Sequence, residues 1–126
     1  MDTDKILAML AMTGTLKFST ATEDIHTTFH ELKGAFPDLF GDLRFANNDI
    51  FPYSEELSEA FFAMTLCDAI YTTSPDYKYY YMTEKTRDVI IRDVVPTLPK
   101  EFIESIPRMA PFIEKLKREM SNQIKS

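Results

Sequence analysis

Basic residues are missing from the middle of this chain. No Lys or Arg occurs between Arg44 and Lys78, whereas Asp49, Glu55, Glu56, Glu59, Asp68 and Asp76 all fall there. Those acids alone match the formal net charge of −6, so the rest of the chain is balanced. A segment of this kind repels phosphate backbones and anionic lipid. Tryptophan is absent, and Cys67 is the single cysteine. No intramolecular disulfide can form, which fits a reducing compartment. No run approaches the roughly 18 apolar residues of a membrane span. The opening "MDTDKILAMLAMTG" carries acids where a secretory signal carries bases. A cytoplasmic protein without membrane contact is expected. Enzyme signatures are also missing: there is no Gly-rich phosphate loop, no G-x-S-x-G elbow and no Cys–His pair. Cys67 reads as an inert thiol on an apolar helix face. The expectation is a protein that is not an enzyme and holds no cofactor.

What is present is a rich supply of core anchors, with 10 Phe and 6 Tyr in 126 residues. That suffices for one domain, 1–126, with a core needing no metal or disulfide. A first helix is predicted over 3–13, with Ile6, Met9 and Leu10 on one face and Gly14 as its stop. A second begins near Thr20, where Thr20 and Glu23 have capping-box spacing, and ends at Gly34. A turn-rich connector follows, anchored by Phe36, Leu39, Phe40, Leu43, Phe45, Ile50 and Phe51, with a short strand at 43–45 or 50–51. Ser54 is a good N-cap for a third helix, and Glu55 and Glu56 suit the positive end of its dipole. Leu57, Ala60, Phe61, Met64, Cys67 and Tyr71 make its apolar face, with Asp68 an odd acid on the same side. Residues 70–73 and 77–82 pair as a hairpin around "SPDY", where Pro75 and Asp76 favour a turn. Thr83 caps a fourth helix, although the β-branched run over 88–95 suits either helix or strand. A C-terminal helical extension starts at about 97, kinked or broken at Pro107 and Pro111.

The expected fold class is mainly α with a small β-hairpin, winged-helix-like (α+β), with "SPDY" at the wing tip. Two quoted stretches strengthen this. "FPYSEEL" before the third helix and "YYYMTEKTRDVI" after the hairpin resemble a pattern in bacterial and archaeal winged-helix proteins. In that pattern the third helix opens with Gly-Pro-Tyr-Ser-like residues, and the wing exits into Leu-Thr-Glu-Lys-Gly. Pro52 to Leu57 match the first part and Tyr81 to Lys85 the second, about a quarter of the chain. Phe51 and Thr86 stand where the pattern has glycine. The resemblance implies a winged-helix fold, shared by transcription regulators and by uncharacterised phage- or toxin-associated proteins.

A winged helix usually lays its third helix in the major groove. Here the face opposite the core carries Glu55, Glu59, Phe62, Leu66 and Ala69. Carboxylates would meet phosphates there, so a protein partner is the better reading, with Glu55, Glu59, Phe62 and Leu66 as partner-binding residues. The bland alternative is that terminal helices cover this face. Met109, Phe112, Ile113, Leu116 and Met120 form a stripe for self-association as a homodimer, or else for packing within the monomer. The alternative function is a DNA-binding transcription regulator using Lys85, Arg87, Arg92, Lys115, Lys117 and Arg118, which otherwise belong to solvated helix surfaces. His26 and His30 sit one turn apart near Glu23 but lack further ligands, so a solvent-facing helix surface is expected there and no metal site. Tyr77, Tyr79, Tyr80 and Tyr81 are expected to pack the hairpin rather than stack bases.

Overall fold

The computed structural model describes residues 2–47 and 50–125, with side chains at 47 and 118–125 outside the described residues. The chain is mainly helical, with two small antiparallel sheets. Its elements run α1 (Thr3–Met12), β1 (Lys17–Ser19), α2 (Thr22–Ala35), β2 (Ala46–Asn47), β3 (Pro52–Tyr53), α3 (Glu55–Leu66), β4 (Tyr79–Tyr81), α4 (Glu84–Val89) and α5 (Lys100–Lys125).

Local chemistry accounts for most helix ends. The Asp2 carboxylate accepts from the Asp4 N–H, the Ser54 hydroxyl from Leu57 and the Thr83 hydroxyl from Thr86. At the end of α1, Gly14 takes a left-handed φ of +67°. Its N–H donates to the Ala11 carbonyl, and the Thr15 N–H donates to Leu10. α3 ends in the same way with Asp68 in the glycine's place, at φ 62°. The Asp68 N–H donates to Thr65 and the Ala69 N–H to Met64. This is a Schellman closure, in which the left-handed residue lets two orphan carbonyls find donors. Asp68 therefore lies beyond the helix and is exposed, not core-facing, and Cys67 is the exposed C-cap, not a buried thiol.

Other boundaries differ from expectation. α2 starts at Thr22, and Thr20 forms no capping box. The Ser19 hydroxyl accepts from the Ala21 N–H and donates to Asp24, freeing the Thr20 hydroxyl to donate to the Tyr77 carbonyl. α2 passes through Gly34 to Ala35. The connector strands are Ala46–Asn47 and Pro52–Tyr53, paired as a hairpin. Phe40 and Leu43 pin the connector as expected, whereas Ile50 is 82% exposed.

The expected pairing of 70–73 with 77–82 shrinks to one bridge, Tyr71 with Tyr81. The main partner of β4 is β1, in the register Lys17↔Tyr81, Phe18↔Tyr80 and Ser19↔Tyr79. Residues 88–95 are helical: α4 widens into a π turn (Ile90–Val94), then tightens into a 3-10 turn (Val95–Thr97). The Val95 N–H reaches back to Ile90, just before Pro96, which has no N–H to offer. α5 runs unbroken through Pro107 and Pro111. Both prolines are exposed and four apart, so the freed carbonyls fall on one side, where water can serve them.

The core is held by a relay of edge-to-face rings. Phe18 meets Phe61 at 6.2 Å, Phe61 meets Phe29 at 6.1 Å, Phe29 meets Phe40 at 6.3 Å and Phe40 meets Phe102 at 6.3 Å. The relay joins β1, α3, α2, the connector and α5, and Phe18, Phe29, Phe40 and Phe102 are fully buried. Met109, Ile113 and Leu116 are buried in the same core because α5 packs on α2, β1 and α1. The stripe read for self-association thus serves the monomer. Phe112 is half-buried against Phe36, at 6.1 Å, and the side chain of Met120 lies outside the described residues.

Candidate protein-interaction face

α3 turns Leu57, Ala60, Phe61 and Met64 inward. The opposite side therefore points to solvent. Phe62 is 64% and Leu66 69% exposed, and Glu55 and Glu59 share their side. Among the described residues no terminal helix covers this face, so the reading that it is buried by them does not hold. Ala69 lies past the end of α3, half-buried against the core, and is not part of the face.

Beside the Phe62 ridge runs a groove of about 180 Å³. Ser58, Phe62 and Thr65 form its α3 wall, Thr22, Ile25 and His26 its α2 wall, and Thr20 and Tyr80 its end. Tyr80 is fixed by packing on Phe18 at 5.4 Å and Phe61 at 5.8 Å. The loop over 72–78 is tied to the same corner, because Thr20 donates its hydroxyl to Tyr77 and its N–H to Lys78. Tyr77 itself has φ 53° and is 55% exposed. A left-handed backbone is costly for a bulky residue, and such strain concentrates at functional sites. Tyr79 and Tyr81 occupy the other side of the sheet, where Lys17 lies 4.8 and 5.6 Å from their ring centres.

His26, on the α2 wall of the groove, is buried, contrary to the expected solvent-facing position. It stacks on Tyr53 at 4.6 Å with rings nearly parallel at 4°. Its Nδ1 accepts from the Ser54 N–H at 2.9 Å, and Nε2 lies 3.2 Å from the Ser58 hydroxyl. Ser58 in turn donates to the Tyr53 hydroxyl at 2.9 Å. An acceptor Nδ1 leaves the proton on Nε2, which donates to Ser58. Burial lowers the His26 pKa, favouring this neutral form. A general base for Ser58 would need the opposite tautomer and a carboxylate behind Nδ1. The arrangement thus clamps α2 to the start of α3 rather than activating a nucleophile. His30 is exposed and edge-on to Phe45 at 5.1 Å. Among the described residues no group of His, Cys, Asp and Glu could hold a metal ion.

The basic residues lie elsewhere and are mostly engaged. Arg87 pairs with Asp88 at 3.0 Å, Arg92 with Asp93 at 2.8 Å, and Lys115 with Glu31 at 2.5 Å. Lys117 pairs with Glu114 at 3.6 Å and donates to the Thr13 carbonyl. Lys85 is exposed on α4, and the side chain of Arg118 lies outside the described residues. Among the described residues, Glu56 is the α3 acid with an ion-pair partner. Arg44 gives it a backbone N–H and its guanidinium, and these hold the carboxyl below its usual range.

The groove, the left-handed Tyr77 and the buried His26 were not legible in the sequence. Each depends on contacts between segments far apart in the chain, such as Thr20 with Tyr77. No helix among the described residues is long and apolar enough to cross a membrane. No family model, curated protein or solved structure matches the chain.

Proposed function

We propose that this chain is a non-enzymatic regulatory or adaptor protein that acts through protein contacts on a winged-helix scaffold. The order α1–β1–α2–α3–β4, with β1 paired to β4 and a wing at 72–78, supports the scaffold assignment. One observation carries the functional reading: Phe62 and Leu66 stand exposed on α3 beside Glu55 and Glu59. Exposed apolar side chains one turn apart, rimmed by charge, are chemistry for a protein surface. Phosphate contacts need cations or N–H donors, and α3 carries no Lys or Arg at all.

A mobility-shift titration against mixed duplex DNA at low salt is expected to show no complex. Tight, salt-sensitive binding would overturn the proposal in favour of a DNA-binding regulator working from Lys85, Arg87 and Arg92. Light scattering on the eluting protein separates a homodimer from a monomer that meets a different partner.

A further inference from the structure

We infer that the face formed by α3 and the wing tip receives a basic amphipathic helix of a partner protein, one apolar side chain of which fills the groove beside Phe62. This rests on the adaptor reading above and names the kind of partner. The groove volume comes first. About 180 Å³ falls short of the roughly 300–1,000 Å³ that encloses a cofactor or drug-sized ligand. It has room for one large side chain. Its lining sets the apolar surface of Ile25, Phe61, Phe62 and Tyr80 among hydroxyls and holds no Asp, Glu, Lys or Arg, which suits an apolar anchor and gives a charged group no counter-ion.

At the wing, the sheet disfavours strand addition. Strand addition needs a free edge with unpaired N–H and C=O groups. β4 is bonded to β1 on one side and bridged by Tyr71 on the other. The edge beyond Tyr71 is a single bridge residue, too short to template a strand. Phe62 and Leu66, by contrast, make a ridge with the one-turn spacing that meshes with apolar positions i, i+3 and i+4 of a second helix. α3 has 12 residues, which gives a ridge of about 18 Å.

Charge chooses the sign of the partner. Glu55 opens the ridge, Glu59 sits within it, and Asp68 and Asp76 lie exposed beyond its end and at the wing. Lys78 is the single base in the wing tip. Exposed carboxylates of this kind add little affinity but set orientation and encounter rate toward a basic partner.

The test uses the full chain and a fluorescently labelled peptide of Leu and Lys with Leu at helical spacing, read by anisotropy. Two controls keep the length: the same residues in strict alternation, and Glu in place of Lys. The helical Leu/Lys peptide is expected to bind. Phe62→Ser combined with Leu66→Ser should lower its affinity at least tenfold. Ile91→Ser removes a comparably placed apolar side chain from the π turn, 42% exposed and outside the groove, and should change affinity less than twofold. Equal binding of the alternating or the Glu peptide would overturn the inference, as would equal losses in both serine variants. Binding of neither DNA nor the helical peptide sinks the helix and leaves the adaptor reading standing. DNA binding that ignores Phe62 and Leu66 sinks both.

Discussion

His26→Phe isolates the clamp between α2 and α3. The phenyl ring retains the stack on Tyr53 and most of the volume, and Ser58 keeps its bond to the Tyr53 hydroxyl. What disappears is the Nε2–H donation to the Ser58 hydroxyl and the acceptor for the Ser54 N–H, and Ser54 is fully buried. A buried donor stripped of its partner costs about 1–3 kcal/mol. For a domain of this size that corresponds to a fall in Tm of roughly 4–12 °C. The loss also depends on pH. Burial sets the folded-state pKa of His26 below the ordinary 6.5. As pH falls, the unfolded chain takes up its proton first, so the native state loses stability from about pH 6.5 down through the lowered folded value. The phenylalanine variant has no such group. Urea unfolding followed by circular dichroism should therefore show a gap between the two proteins that is widest near pH 7.5 and narrows toward about pH 5. A gap that stays constant across that range would refute the burial-lowered pKa, and a variant as stable as the parent at neutral pH would refute the structural role of the Ser54–His26 bond.

Phe18→Ala removes the ring that joins Phe61 and Tyr80 in the core and should cost about 3–5 kcal/mol in the same unfolding assay. Asp68→Gly should raise stability by about 0.5–1 kcal/mol, because glycine takes the left-handed angle without strain and the negative charge leaves the C-terminal end of α3. Phe62→Ser with Leu66→Ser should leave the unfolding midpoint within about 0.5 kcal/mol of the parent, since neither side chain is buried. A large drop would mean that the face supports the fold.

The caps at Ser54, Thr83 and Gly14 were legible because they are local events, whereas Thr20 and Gly34 misled because Ser19 and a continuing helix took over their roles. Ser54, Thr83 and Gly14 each act within four residues of themselves, and each does in the structure what its type and position imply. β1 was not legible. Its three residues carry no periodicity that distinguishes them, and their partners lie some 60 positions onward, so only the closed fold makes them a strand. His26 escaped for the same reason: its burial is conferred by α3, docked against it by Ser54 and Ser58. The acids of α3 can be sorted by how far local chemistry explains them. Glu55 and Glu56 occupy the first turn, where the helix dipole favours them, and Glu56 is further engaged by Arg44. Glu59 lies beyond that first turn, so the dipole does not account for it. Nor does any local requirement account for Phe62 and Leu66, whose exposure makes the folded chain less soluble and adds nothing to its core. What remains on α3 after capping, dipole and core are subtracted is an acid and two apolar side chains on one ridge, and that residue of unexplained chemistry is the strongest reason to propose a partner there.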